Sequence, residues 1–353
     1  MTIANLARPE IRALKPYAAA VQIEDNIRLN ANEVSWTSNH DRFRRPLNRY
    51  PEIRPAALTV LLAEHYGCQP DKLIVTRGTS EGIDLLIRVF CRAGQDSIAT
   101  ITPTFSMYRH YAAVQGAQLI ECETSRDEGF AIDIDALLLA CDDATRLIFV
   151  CSPNNPTGNV IPRDDLIRLL ESRRNKSAIV VDEAYIEFAQ QSSIIELLDR
   201  FENLIVLRTL SKARAYAGAR CGSVIAAAPV IQLLSTVQAP YALATPVVEC
   251  VEKILQPECI EEADVWTRKV VAERERLIAA IRELPFVRRI WPSSANFFLV
   301  QVQDAAALLE QSASDRILLR YFGGDLADCV RITVGSAAEN DLLLQTFGKL
   351  QAS

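Results

Sequence analysis

At 353 residues and 49% apolar composition, the chain is long enough for two domains, or one large domain with a smaller partner. Its 38 Lys and Arg against 44 Asp and Glu leave a net charge of −6, which argues against a general nucleic-acid binder. No basic-then-apolar start and no apolar run of ~20 residues stand in the sequence, and its nine cysteines are scattered without a C-x-x-C pair. Neither secretion, a membrane span, a disulfide framework nor a metal site is therefore expected, and reduced thiols in the cytoplasm are.

The first forty or so residues have little periodicity and read as an arm. From Leu73 onward, short β-branched runs alternate with helical patterns. Strands are predicted at Leu73–Thr76, Ser97–Thr102, Gln118–Cys122, Arg146–Cys151, Ala178–Asp182, Leu204–Arg208 and Gly222–Ala226. Helical patterns fall between several of them, such as Ile83–Cys91 and Asp164–Arg173. The runs are apolar without strict alternation, as in strands covered on both faces, so an α/β domain with a mainly parallel sheet is expected. Beyond about Pro246 the texture changes. A long charged amphipathic helix is predicted over roughly Ala263–Glu283, followed by Asn296–Val302, a helix near Ala305–Gln311, and Val330–Val334. This reads as a smaller α+β domain. The expected division is 1–45 for the arm and part of the small domain, 46–245 for the large domain, and 246–353 for the small one.

In an open parallel sheet, ligands sit beyond the carboxyl ends of the strands. Four polar segments fall there: Arg77-Gly-Thr-Ser-Glu-Gly82, Asn154-Asn-Pro-Thr-Gly158, Asp182-Glu-Ala-Tyr185, and Thr209-Leu-Ser-Lys212 with Arg220 eight residues on. Together they supply what is needed to hold pyridoxal phosphate. Lys212 can bond the cofactor aldehyde. Asp182 can keep the pyridine nitrogen protonated, and Tyr185 and Asn155 can reach the ring oxygen. Arg220 and Ser211, with Thr209 beside them, match phosphate oxygens. Gly78 can make a tight turn into a helix whose first N–H groups, at Thr79 and Ser80, point at an anion. An ordinary helix cap would use the same residues. Phe105, in Pro-Thr-Phe, suits stacking on the ring and equally a place in the core. Glu183 and Asn154 read as structural. Arg320 and Arg331 each lie in an apolar stretch, where an arginine needs a partner. A substrate anion is one, a structural carboxylate the other.

The set Leu29-Asn-Ala-Asn-Glu33, Arg49-Tyr-Pro-Glu52, Arg77-Gly-Thr-Ser-Glu-Gly82, Cys151-Ser-Pro-Asn-Asn-Pro-Thr-Gly158, Asp182-Glu-Ala-Tyr-Ile-Glu187, Leu207-Arg-Thr-Leu-Ser-Lys212 and Val330-Arg-Ile-Thr-Val-Gly335 closely resembles the histidinol-phosphate aminotransferase family, over nearly the whole chain. The resemblance implies the fold-type-I architecture of pyridoxal phosphate enzymes and a cytoplasmic homodimer with active sites at the subunit interface. Tyr50 would reach the cofactor phosphate of the neighbouring subunit. Tyr17, Asn32 and Asn155 would line the substrate pocket, and Arg320 and Arg331 would take the substrate's anion. The implied reaction exchanges an amino group between L-histidinol phosphate and 2-oxoglutarate, giving imidazole acetol phosphate and glutamate. Histidinol phosphate has no α-carboxylate, so its phosphate must be gripped instead.

The chain departs from the family pattern in three places. Val34-Ser35 follows Asn-Ala-Asn-Glu where Pro is usual, and Phe105 stands where Tyr is usual. After Ser-Lys, Arg214, Tyr216 and Ala219 replace apolar family residues. Arg214, a positive charge two residues from Lys212, is expected to bear on the pocket. The alternatives are the same chemistry on an aromatic amino acid, a phospho-amino-acid decarboxylase on this scaffold, and a non-catalytic regulator. The last would be expected to carry a DNA-binding domain ahead of the fold.

Overall fold

The computed structural model describes residues 2–17, 22 and 27–350. Seven strands form the larger sheet: β1 (Leu73–Thr76), β2 (Ser97–Thr102), β3 (Gln118–Glu123), β4 (Thr145–Cys151), β5 (Ala178–Asp182), β6 (Leu204–Thr209) and β7 (Gly222–Ala226). Their order is β1-β7-β6-β5-β4-β2-β3. Every pair among β2 to β6 is parallel, and β7 runs antiparallel to both β6 and β1. The expected mainly parallel α/β sheet is present, and the predicted strand bounds hold to within a residue.

Alternation explains why the strands lack a polar face. Along β5, Ala178 and Val180 enter one core, while Ile179 and Val181 enter the other. In β6, Ile205 and Leu207 go with the first pair, Leu204 and Val206 with the second. Helices cover both faces, so period-2 geometry is present without period-2 polarity.

Strands β8 (Val287–Ile290), β9 (Phe297–Val302), β10 (Arg320–Gly323) and β11 (Leu326–Thr333) form a second, antiparallel sheet in the order β10-β11-β9-β8. The helices Pro257–Arg282 and Ala337–Lys349 pack Leu277, Ile281, Leu343 and Phe347 against Phe298, Val300 and Ile332 of this sheet. The long helix starts six residues before its predicted position, with a proline in its first turn. The terminal helix opens on a capping box between Ser336 and Glu339. β8 and β10 were not legible: β8 reads Val-Arg-Arg-Ile and is half-buried, and Arg320, Tyr321 and Phe322 of β10 are exposed. Among the described residues no helix is long and apolar enough to cross a membrane, and no cluster of His, Cys, Asp and Glu could hold a metal.

The arm, residues 27–50, has no helix or strand, yet its two motif segments are tied together. Glu33 pairs with Arg28 at 2.6 Å and Arg49 at 2.9 Å, and accepts the Tyr50 backbone N–H.

Candidate active site

The polar segments converge at the carboxyl ends of the parallel strands. One cavity is lined by Thr79, Ser80, Phe105, Asp182, Tyr185, Thr209, Ser211, Lys212 and Arg220, together with Cys151 and Ala184. A larger cavity of about 930 Å³ lies elsewhere, between the helices near Ala56 and Pro229 and the chain start. It holds none of the predicted site residues, so size does not mark the chemistry here.

Asp182 ends β5 and is 2% exposed. Burial pushes its carboxyl up to about 6; the Tyr108 hydroxyl, the Ala184 N–H and the Lys212 charge oppose the rise, in that order. Tyr108 donates to Oδ2 at 2.9 Å, and Ala184 N–H donates to Oδ1 at 3.2 Å. The Lys212 ammonium lies 5.6 Å from the Tyr185 ring centre. Desolvation, then Arg331 and Arg220, lower its pKa, and Asp182 opposes them.

The opposite wall is a close backbone approach. Gly78 has φ 76° and precedes the helix Thr79–Phe90. A Cβ there would stand 2.6 Å from Arg220 Nη2, and a Cβ on Gly222 would stand 2.8–2.9 Å from the Gly78 and Thr79 backbone. Only glycine at both positions lets β7 and the helix start meet with Arg220 between them. Arg220 itself is left-handed, at φ 51°, and its Nη1 donates to Ser211 Oγ at 3.4 Å and the Ala217 carbonyl at 3.1 Å. First-turn N–H groups, the four hydroxyls of Thr79, Ser80, Thr209 and Ser211, and a guanidinium thus surround one spot, as a phosphate needs.

Asn155 is not part of the cavity wall but reaches it through Tyr185. Its Nδ2 donates to the Tyr185 hydroxyl at 3.4 Å, while its Oδ1 accepts from Arg331 Nη1. Arg331 sits on β11 directly across from Arg320 on β10. Its guanidinium lies 5.0 Å from the Phe297 ring and 5.6 Å from Phe322, and that of Arg320 lies 5.3 Å from Phe322. Among the described residues neither arginine forms an ion pair, so the structural-carboxylate alternative has no carboxylate. The Arg331 Nε is buried without a partner. A buried Asp182, a glycine-lined anion cradle and two arginines without acids are a donor set that fits pyridoxal phosphate and an anionic substrate.

Tyr17, Asn32 and Tyr50 are not brought to this cavity. All three are exposed, and Tyr50 stacks on Tyr241 with ring centres 4.7 Å apart. Glu183 and Asn154 are structural, as expected. Glu183 accepts from Ser193 Oγ and Ile194 N, and Asn154 bonds Thr104, Thr157 and the Pro103 carbonyl.

The expectation for Arg214 is corrected. Its side chain turns away from Lys212 and donates to Asp264 Oδ1 at 2.8 Å and the Ile260 carbonyl at 3.2 Å, both on the helix Pro257–Arg282. An arginine with a carboxylate in reach there has no reason to enter the cavity. The sequence did not single out Tyr108, Cys151 or Phe297 for a place at the site. Tyr108 had a signal, being a tyrosine three residues after Phe105 in an otherwise ordinary buried helix face. For Cys151 and Phe297 there was none.

The class I and II aminotransferase family matches residues 25–347 of this chain. The chain is 39% identical to the histidinol-phosphate aminotransferase of Escherichia coli O45:K1 (strain S88 / ExPEC), covering 98% of each chain. With that of Stenotrophomonas maltophilia (strain R551-3) it shares 40% identity over 99% of this chain and 97% of the relative. It therefore belongs to the histidinol-phosphate aminotransferase family. The solved histidinol-phosphate aminotransferase from Sinorhizobium meliloti, in complex with pyridoxal-5'-phosphate, shares the fold, with TM-score 0.78, 24% identity and coverage of 86% of this chain and 84% of that one.

Proposed function

We propose that the chain transfers the amino group of L-histidinol phosphate to 2-oxoglutarate, giving imidazole acetol phosphate and glutamate in histidine biosynthesis, with pyridoxal 5'-phosphate as cofactor. The carrying observation is that Lys212, Asp182, Tyr185 and an anion cradle share one cavity, while Arg331 joins it through Asn155 and has Arg320 across from it on the neighbouring strand, neither arginine having an acidic partner among the described residues. The curated relatives named above add the substrate.

When bound, the cofactor supplies an aldehyde for the substrate amine and a ring that accepts the electron pair left when Cα loses its proton. The chain's residues do the rest. Arg220, Ser211, Thr209, Thr79, Ser80 and the Gly78 turn hold the phosphate, and Phe105 lies against the ring. Asp182 holds the proton on the ring nitrogen, and Tyr185 and Asn155 bond the ring oxygen. Lys212 would hold the cofactor between turnovers and, as a free amine, would take the substrate Cα proton as base and deliver it to the former aldehyde carbon as acid. Its lowered pKa favours the neutral amine that a base requires. Arg331 and Arg320 take the phosphate of one substrate and a carboxylate of the other, in two successive half-reactions.

Tyr17, Asn32 and Tyr50 act across a homodimer in this proposal. Support comes from the apolar side chains exposed on the arm and before it, among them Tyr17, Leu29, Trp36 and Tyr50. The proposed division, an arm and part of the small domain over 1–45, a large domain over 46–245 and a small one over 246–353, is supported by a first sheet that ends at Ala226 and a second that begins at Val287, while the helix Thr245–Ile254 still packs Val248 and Val251 into the larger sheet's core. Nine cysteines free of disulfides suit the cytoplasm.

Borohydride treatment of the yellow holoenzyme followed by peptide mapping tests the cofactor site. The adduct is expected on Lys212; one on another lysine overturns the assignment.

A further inference from the structure

Asp182 must stay ionised and correctly aimed inside a site that burial makes hostile to charge. Among the described residues, a few groups face it. Tyr108 comes from the helix Met107–Gln115, Cys151 from the end of β4, and Lys212 from the loop after β6, while Ala184 and Tyr185 follow it in the chain. Of these, Tyr108 and Ala184 N–H donate to its oxygens. Tyr108 is fully buried, and its ring is held on two sides: it stacks on Phe149 at 5.0 Å and meets Phe105 edge-on at 5.8 Å. Its hydroxyl donates to Asp182 Oδ2 and also lies beside the Cys151 thiol.

Resting on the cofactor reading above, we propose that Tyr108 is a positioning residue, whose O–H fixes the Asp182 carboxylate in the orientation that holds the proton on the cofactor's ring nitrogen. Burial and the neighbouring Asp182 push the Tyr108 phenol well above its ordinary range, so it remains a proton donor throughout the working pH range. The carboxylate it supports keeps its charge against burial with this donor as the largest favourable influence. Contact with Phe105 also links the two sides of the ring site, because the residue that aims Asp182 braces the stacking candidate.

Tyr108→Phe removes one hydroxyl and keeps the ring stack. A hydrogen bond to a charged group corresponds to roughly a tenfold or larger change in an equilibrium constant. The dissociation constant for pyridoxal phosphate is accordingly expected to rise about tenfold at pH 6.5 and less at pH 8.5, because Asp182 protonates more readily without the donor. kcat should fall while KM for the amino donor holds. In an Asp182→Asn background, adding Tyr108→Phe should change cofactor affinity by less than about twofold. Phe149→Leu, which removes the stack and leaves the hydroxyl, should not reproduce the pH dependence. An unchanged affinity in Tyr108→Phe, a pH-independent loss matched by Phe149→Leu, or additive effects with Asp182→Asn would overturn the inference. Wild-type protein that binds no pyridoxal phosphate would instead overturn the cofactor reading itself.

Discussion

The two ends of the candidate site are built differently. At the cofactor end, Asp182, Asn155, Tyr185 and Thr209 are all buried, carried at or just past the ends of buried strands, and hydrogen-bonded to neighbours. At the substrate end, Arg320 is exposed on a short edge strand and Arg331 leaves one buried donor unused, while Tyr17 ahead of the arm and Asn32 and Tyr50 on it are exposed. The four cofactor-end residues are fixed by the same packing that makes the sheet, whereas Lys212 and Arg220 of the same end are exposed on the loop after β6. The substrate end is open, assembled from the small sheet and, in the proposed dimer, from a second chain. In the proposed reading, chemistry belongs to the rigid end and substrate choice to the open one.

The largest effect should come from the rigid end. Lys212→Ala removes the group proposed to move the Cα proton, and single-turnover deprotonation should slow by about 10²–10⁴-fold. A loss of less than tenfold would place the base elsewhere.

Asp182→Asn should separate function from stability. It removes the charge on the ring nitrogen's partner, so deprotonation is expected to slow by about a hundredfold or more. The folded carboxyl titrates at about 6, above its ordinary 3.8. The buried charge therefore costs stability above pH 6, and that cost disappears as pH falls towards 4. The apoprotein of Asp182→Asn should be more stable than wild type at pH 8, on the order of 1 kcal/mol, with the difference gone near pH 4. Denaturant midpoints at the two pH values measure this. In the wild type, cofactor affinity should decline as pH drops through about 6.

Arg331→Gln tests the open end. Each arginine–phosphate fork contributes ~1.5–3 kcal/mol, so kcat/KM for histidinol phosphate should fall at least tenfold. Both half-reactions should suffer, since Arg331 must also meet the carboxylate of glutamate. A variant impaired with one substrate only would split the roles.

The smallest effect is expected for Arg214→Ala. The Arg214 side chain is 9% exposed beside a half-exposed partner, Asp264, and the pair lies outside the cavity lining. The preference for histidinol phosphate over phenylalanine should stay within about threefold of wild type, since the side chain points at the long helix rather than the cavity.

The same contrast explains what could be read from the sequence. The strands of the larger sheet were legible because unbroken β-branched runs such as Ala178–Asp182 are buried on both faces, and the residues proposed to hold the cofactor stood out because they follow those runs. β10 was not, since Arg-Tyr-Phe-Gly is short and exposed. The outcome for Arg214 was hidden because its partner lies fifty residues on, in a helix whose register a linear reading does not supply. Tyr108 was overlooked because its position three residues after Phe105 gives it a place in a buried helix face, whereas its role depends on a strand end seventy-four residues away.

The central claim, rigid chemistry with substrate choice set by the arginine pair, is tested most directly by kcat/KM for histidinol phosphate against phenylalanine and tyrosine, in wild type and in Arg320→Gln. Wild type should prefer histidinol phosphate, and the variant should lose at least tenfold of that preference while retaining activity towards phenylalanine. A wild-type preference for phenylalanine or tyrosine, or a preference untouched by Arg320→Gln, would contradict it.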